Sequence, residues 1–287
     1  MTDLTVATVY AMCWKEHWSK PRFEESGWAY EVAGLYRRRI EPEFAYSLMS
    51  ELTPLTIRKW HDGMAASPSE AKKALDVLSS LFTFAERYDL RPVGSNPCGL
   101  IRPFRQRKRG RYATPEEIAR LGARLEAHRA QYPREVAFVS LLMLVGCRPS
   151  VLLRAKRADL VGDILRVKGK TYHETGEMDE VAFPEAAMEI VYALPTREDG
   201  LLLGGPYPRP FWEKIRREAK VPDLWLRDSR RTFATTGLSQ GVGIGVIGEL
   251  LNHRSAQTTK VYAKLVTTTR LEAANQVAGF IVSHMKR

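Results

Sequence analysis

The chain of 287 residues is long for a single domain, and two domains are the better expectation. Its composition, 44% hydrophobic and 27% charged, excludes a chain that is disordered over most of its length. The longest apolar stretch, at 136–145, is far shorter than the roughly 20 residues of a membrane-spanning helix. The first ten residues also lack the basic-then-apolar pattern of a signal peptide, so we expect a cytoplasmic protein without membrane contact.

The net charge indicates the class of partner, and the cysteines indicate the cellular compartment. The net charge of +11, from 44 Lys and Arg against 33 Asp and Glu, indicates attraction to polyanions. Cys13, Cys98 and Cys147 are scattered and have no zinc-ligand spacing. We therefore expect a reducing compartment and no structural metal.

The first hundred residues predict helices. Ser67-Pro68-Ser69-Glu70 has the pattern of a capping box with proline at the first helical position. Behind it, apolar residues recur at helical spacing along one face. They are Leu75, Leu78, Leu81, Phe82 and Ala85. We predict a bundle of about four helices as a first domain, at 1–101, with no catalytic group.

A basic segment at 102–113 follows this helical region. It contains six cations and no acid, which are Arg102, Arg105, Arg107, Lys108, Arg109 and Arg111. Turn-forming residues precede it, and a second capping box, Thr114-Pro115-Glu116-Glu117, follows it. We interpret the segment as an interdomain linker whose cations contact phosphates, with a merely solvated connector as the alternative.

The rest of the chain, 114–287, predicts an α-rich second domain. A helix begins at Pro115, and a buried helix over 136–145 ends at Gly146, with Pro149 suited to the first turn of the next helix. Segments 164–171 and 180–183 predict a β-hairpin around a polar loop. Further helices are expected near Trp212 and Ile215, and over 231–240, 255–265 and 271–285. The predicted fold class is mainly α, with a small hairpin or sheet.

One motif is misleading. Gly243-Ile-Gly245-Val-Ile-Gly248 matches the GxGxxG fingerprint of dinucleotide-binding proteins. That fingerprint needs a strand directly before it, and the residues before Gly243 predict a helix. We interpret these glycines as a turn between two helices and expect no nucleotide or other cofactor.

A stronger signal is an ordered set of basic residues that ends in a tyrosine. Arg148, Lys170, Arg230, His253 and Tyr262 follow one another along the second half of the chain. This set resembles the tyrosine recombinase (phage integrase) family, whose catalytic domain has Arg, a hairpin Lys, His-x-x-Arg, His or Trp, and Tyr in this order. The separations from Arg230 to His253 and on to Tyr262 also match the family, as does the run Arg-Thr-Phe-Ala-Thr after Arg230.

The resemblance implies site-specific DNA recombination through a 3′-phosphotyrosyl intermediate. In this interpretation Arg148 and Arg230 clamp the scissile phosphate and His253 hydrogen-bonds it, while Tyr262 is the nucleophile. Lys170 is the expected general acid, with Lys168 as the alternative. The implied partners are double-stranded DNA with a specific recombination site and further copies of the chain, as a tetramer on DNA. In the family, a C-terminal helix such as the one predicted at 271–285 commonly docks on a neighbouring subunit.

The chain departs from the family pattern at three positions. Arg227 stands where the family usually has the His of His-x-x-Arg, and an arginine cannot act as a base near neutral pH. Val151 replaces a frequent acid, and Asn252 replaces the usual Gly before His253. Two alternatives therefore stay open: a catalytically impaired recombinase-like protein that binds DNA, and a type IB topoisomerase-like enzyme that relaxes DNA. The chain is also expected to begin at the core-binding domain, without the arm-binding domain of larger integrases.

Overall fold

The computed structural model describes residues 3–20, 27–105, 110–169, 172–253 and 259. The chain divides into two compact units, Met1–Lys108 and Arg109–Arg287, and the division falls inside the basic segment 102–113. Helices dominate both units, and a small antiparallel sheet lies in the second. The predicted mainly α fold class is confirmed.

The first unit is a helical bundle. Its described α-helices are α1 (Val6–Cys13), α2 (Trp28–Leu35), α3 (Glu41–Phe44), α4 (Pro54–Asp62) and α5 (Pro68–Arg87). A π-helical turn, Trp14–Trp18, extends α1, and another, Tyr36–Ile40, joins α2 to α3. Apart from the short 3-10 helix Pro97–Leu100, the described residues form four continuous helical stretches, in agreement with the predicted bundle of about four helices.

Helix α5 begins where its proline predicts, but the predicted capping box is wrong. Among the described residues, the Ser67 side chain makes no capping hydrogen bond. Glu70 instead accepts two hydrogen bonds from Arg39, from Nε at 3.2 Å and from Nη2 at 3.1 Å. A two-point guanidinium–carboxylate pair is stronger than a carboxylate bond to a backbone N–H, so the distant arginine takes the carboxylate from the local cap.

The start of the basic segment is anchored to the first unit. Phe104 packs against the apolar core of the bundle, and its ring stacks on that of His61 with 4.3 Å between ring centroids. The neighbouring Arg102 and Arg105 are exposed. The apolar side chain thus faces the core while these two arginines face solvent.

The second unit combines helices with a three-stranded sheet. Its described helices are α6 (Pro115–His128), α7 (Pro133–Val145), α8 (Pro149–Arg154), α9 (Tyr172–Thr175), α10 (Glu185–Ala193), α11 (Arg209–Glu218), α12 (Ser229–Ser239) and α13 (Ile244–Leu250). The strands are β1 (Leu160–Val161), β2 (Ile164–Val167) and β3 (Asp179–Ala182), antiparallel and in the order β1-β2-β3.

Local signals predict this unit well. The Thr114 capping box forms both of its bonds: Thr114 Oγ1 accepts from the Glu117 N–H, and Glu117 accepts from the Thr114 N–H. Helix α7 is mostly buried from Val136 onward and ends at Gly146, while α8 begins at Pro149. The predicted hairpin is confirmed with Leu165 opposite Val181, but its polar loop contains the short helix α9.

The GxGxxG motif follows a helix rather than a strand. Helix α12 precedes the motif, whereas a dinucleotide-binding fingerprint directly follows a strand. Gly243 caps the N-terminus of α13, but Gly245 and Gly248 lie inside that helix. The expected turn between two helices is therefore correct for Gly243 and wrong for the other two glycines.

Some expectations fall outside the described residues. The C-terminal helix predicted at 271–285 is among them, and of the helix predicted at 255–265 only Thr259 is described, in helical conformation. No helix within the described part of the chain is long and apolar enough to cross a membrane.

Candidate active site

Arg230 organises the basic cluster of the second unit. It lies in the first turn of α12, where its Nη1 donates to the Gly146 carbonyl oxygen at 3.2 Å and its Nη2 donates to the Leu251 carbonyl oxygen. Arg230 therefore joins the C-terminal ends of α7 and α13. Gly146 has a φ of 62°, and a Cβ there would lie 2.5 Å from the Phe233 ring, so both backbone and packing require glycine.

Arg148 lies at the start of α8, close in sequence to the end of α7 that Arg230 contacts. It is the N-cap residue of that helix, two positions after Gly146, and its side chain is exposed. Cys147, between them, is buried, and burial raises the pKa of its thiol to about 12, although the charges of Arg230 and Arg148 act in the opposite direction. The charges of both guanidinium groups therefore act on one buried point at the end of α7.

His253 is the third member of the cluster. Its backbone N–H donates to the Gly248 carbonyl oxygen at 2.9 Å, which holds the residue against the last turn of α13. Burial, and then the positive charges of Arg230 and Arg148, lower the pKa of the imidazole to about 4. The ring is therefore neutral near pH 7, and it carries one proton on one of its two nitrogens.

Thr259 is a member of the site that sequence reasoning missed. It is 2% exposed, and its Oγ1 lies 2.9 Å from His253 Nδ1. When the Thr259 hydroxyl donates to Nδ1, the ring proton is at Nε2, where it can serve as a donor to a phosphate oxygen. Its position three residues before Tyr262 in a predicted helix was the available signal, because residues i and i+3 share a helix face.

Gly248 has a packing role beside this pair. A Cβ at Gly248 would lie 3.1 Å from Thr259 Oγ1, closer than nearly all real contacts of this kind. The third glycine of the misleading motif thus makes room for the threonine that contacts His253.

The hairpin lysines are described only in part. Lys168 is exposed at the end of β2, and its Nζ lies 4.9 Å from the centroid of the Tyr172 ring. Lys170 falls outside the described residues, as does Tyr262. Arg148, Arg230 and His253 are therefore within electrostatic range of one another, and the roles of all five predicted residues stay predictions.

The structure describes the environments of Arg227 and Val151, two of the departures from the family pattern. Arg227 is exposed on the 3-10 turn Leu226–Asp228, and its charge opposes the burial that raises the pKa of Tyr207, so the two side chains lie near each other. Val151 is buried in the apolar core of the second unit. No carboxylate from that position can orient Arg148.

The predicted DNA-contacting cations do not share one environment. Arg102 and Arg105 are exposed, whereas Arg107, Lys108 and Arg109 lie outside the described residues. Arg111 is held by two acids of the second unit: its Nη2 lies 2.8 Å from a Glu117 oxygen, and its Nε lies 2.8 Å from an Asp223 oxygen. Its side chain is only 20% exposed, so a phosphate would have to compete with two carboxylates.

Comparison of the sequence with known proteins finds relatives, although no family model matches the chain. The chain is 27% identical over 139 residues to tyrosine recombinase XerA of Saccharolobus solfataricus, a match that spans 46% of that protein. A tyrosine recombinase of Thermosipho africanus is 26% identical over 229 residues, covering 74% of this chain and 77% of the relative. Tyrosine recombinase XerC of Mesorhizobium japonicum is 29% identical over 224 residues, covering 70% and 69%.

Solved structures of similar fold support the same comparison. Lambda integrase in a dimer bound to a core site has a TM-score of 0.69 at 15% identity, covering 90% of this chain and 95% of that chain. Lambda integrase in a tetramer bound to a Holliday junction has a TM-score of 0.68 at 15% identity, covering 91% and 78%. At such identities the likeness establishes the fold.

Proposed function

We propose that the chain is a member of the tyrosine recombinase family and a site-specific DNA recombinase that cuts and rejoins DNA through a 3′-phosphotyrosyl intermediate. The observation that carries the proposal is the cluster of Arg148, Arg230 and neutral His253 at the ends of α7 and α13. Two guanidinium groups beside a neutral imidazole suit a phosphodiester, since they supply charge and directed hydrogen bonds.

In the proposed reaction, Arg148 and Arg230 bind the non-bridging oxygens of the scissile phosphate and stabilise the charge that develops there. The Tyr262 phenol loses its proton to solvent, and its oxygen attacks the phosphorus and forms the 3′-phosphotyrosyl bond as the bond to the 5′ oxygen breaks. Lys170, or Lys168 in its place, donates a proton to that departing oxygen. Attack by a 5′-hydroxyl of another strand reverses the step and rejoins DNA, so the bond energy is conserved without ATP.

The other predicted site residues have supporting roles in this proposal. His253 donates from Nε2 to a phosphate oxygen, in the tautomer that a hydrogen bond from Thr259 allows. Arg227 adds a cation for the phosphate but no base, because an arginine guanidinium has no acceptor and stays protonated in proteins. The first helical unit and the exposed arginines of the basic segment bind the DNA of the recombination site, with the arginines in contact with phosphates.

We also propose that the active assembly is a homo-tetramer on double-stranded DNA, with contacts between protomers made by the segment predicted as a helix at 271–285. Lambda integrase, similar in fold, has been solved as a tetramer on a Holliday junction. Such a protein would act in the cytoplasm, at the nucleoid. A catalytically impaired DNA-binding protein and a type IB topoisomerase-like enzyme are less favoured, because the named relatives are recombinases.

The proposal is tested by trapping the covalent intermediate on DNA taken from the flanks of the gene. Duplexes are nicked close to each candidate cleavage position, so that the short 5′-hydroxyl fragment diffuses away and religation stops. A protein–DNA adduct on denaturing gels, together with strand exchange between two intact duplexes, supports a recombinase. Binding without any adduct would indicate the impaired protein, and relaxation of any supercoiled plasmid without exchange would indicate the topoisomerase.

The basic segment provides a separate test with a matched control. Replacing both Arg102 and Arg105 with Gln should lower the slope of log affinity against log salt by about 2, since each phosphate contact contributes roughly 0.9. Arg111→Gln should leave the slope unchanged and lower the denaturation midpoint, because Glu117 and Asp223 lose their partner. Binding isotherms over a salt series give the slopes. A slope that falls only in the Arg111 variant would contradict this division of roles.

A further inference from the structure

Asn252 makes a paired contact with the edge of the sheet. Its Nδ2 donates to the Glu180 carbonyl oxygen at 2.7 Å, and its Oδ1 accepts from the Glu180 N–H at 3.3 Å. One side-chain amide therefore exchanges two hydrogen bonds with one residue, as opposite residues do in an antiparallel ladder. Because β3 is an edge strand, this pair occupies backbone groups that the sheet leaves open there.

The conformation of Asn252 suits an asparagine. Its φ is 49°, in the left-handed region that favours Gly and, among other residues, Asn. The resemblance to tyrosine recombinases leads one to expect Gly before the histidine, and Gly would adopt this φ without any contact to β3. The chain therefore keeps the backbone conformation and adds a side-chain link.

This link joins two parts of the proposed site, the turn that contains His253 and the β2–β3 hairpin. On one side, His253 follows Asn252 directly and is held by Gly248 and Thr259. On the other side, Glu180 pairs with Arg166 in the β2–β3 register, and its side chain forms an ion pair with Arg166 at 3.0 Å.

Strand β3, which is held in this way, pairs with β2, and β2 leads to both candidate acids. Lys168 directly follows β2, and Lys170 comes two positions later. A fixed position for Glu180 therefore limits how far the lysine-bearing end of the hairpin can move from the phosphate-binding end of α13.

We propose that Asn252 is a positioning residue that holds the lysine-bearing hairpin against the His253 turn, so that the lysine reaches the departing 5′ oxygen. The inference rests on the proposed function. It also gives a physical reason for Asn252 where the family usually has Gly. In the same chain, buried Val151 stands where the family often has an acid. The proton moves from the lysine ammonium to the 5′ oxygen as the phosphorus–oxygen bond breaks.

The test uses a substrate that does not need the acid. Replacing the bridging 5′ oxygen with sulfur gives a thiolate leaving group, which departs without a proton because a thiol is far more acidic than an alcohol. Asn252→Gly keeps the positive φ and loses both hydrogen bonds. It should cleave the ordinary nicked duplex about 10- to 100-fold more slowly, part of the loss expected when general acid catalysis is removed. On the sulfur duplex its rate should return to that of the unchanged protein.

Three further variants make the result decisive. Asn252→Asp turns an oxygen toward the Glu180 carbonyl and should show the same selective defect, which guards against poor folding of the glycine variant. Lys170→Ala, or Lys168→Ala if that lysine is the acid, should also be restored by sulfur, whereas Arg230→Lys should stay slow on both duplexes. Asn252 variants that are equally slow on both substrates, or unaffected on both, would overturn the positioning role. No adduct from the unchanged protein on either duplex would overturn the proposed function as well.

Discussion

Tyr262→Phe is expected to abolish covalent protein–DNA adducts while leaving DNA binding intact. Only the phenolic oxygen is lost, and every cation of the site remains, so the phosphate is still bound but nothing can attack it. A free tyrosine has a pKa of about 10, and in the proposed site the guanidinium groups make deprotonation of the nucleophile easier. Incubation with the nicked duplex and denaturing electrophoresis measure the adduct, and gel shifts on the same preparation measure binding.

The control for this variant is a tyrosine that the proposal does not use. Tyr192 is 74% exposed on α10, and Tyr192→Phe should form adducts at the rate of the unchanged protein. A slow-migrating adduct that persists in the Tyr262 variant would show that another residue is the nucleophile.

Arg230→Lys is expected to reduce the rate of adduct formation by about 100- to 1,000-fold, the loss typical when one preorganised donor to a transition state is removed. Lysine keeps the positive charge, so DNA affinity should change little. It cannot reproduce the planar fork that donates to Gly146 and Leu251 and that, in the proposed mechanism, also binds the phosphate. Single-turnover rates at saturating protein separate this loss from any loss of binding.

The neighbouring Arg231 gives the matched control. It lies on the same helix and pairs with Asp228 at 3.8 Å, outside the proposed phosphate clamp. Arg231→Lys should leave the rate of adduct formation unchanged. Denaturant unfolding of the Arg230 variant checks its fold, since unpaired carbonyl oxygens cost about 1–3 kcal/mol each when buried. A rate as high as that of the unchanged protein would remove Arg230 from the clamp.

Much of the secondary structure was readable from local patterns. Prolines at 68, 115 and 149 stand at the first positions of α5, α6 and α8, because a residue without an N–H costs nothing there. The Thr114 capping box forms as predicted since all its atoms lie within four residues. The small sheet was equally readable, because its strands are neighbours in the chain and the alternation of apolar residues sets the register of Leu165 opposite Val181.

Predictions from the sequence were weaker wherever a distant residue competes with a local one. Glu70 was expected to cap its own helix, but Arg39 takes its carboxylate through two charge-assisted bonds. Arg111 belongs by sequence to a run of cations with no acid among them, yet Glu117 and Asp223 hold it. No pattern within the basic segment could have shown that the partner at 223 would be close.

The order Arg148, Arg230, His253 and Tyr262, with its spacing, indicated the resemblance to tyrosine recombinases, because residue types and separations are properties of the chain alone. Only the tertiary structure decided that Arg230 joins the ends of two helices. It also decided that His253 is neutral, because burial and the charges of Arg230 and Arg148 depend on the packing of segments far apart in sequence. It likewise decided the roles of Thr259 and Asn252. The hydrogen bonds of Asn252 with Glu180 exist only once the fold brings the end of α13 to β3, and the contact of Thr259 with His253 depends on the packing beside Gly248.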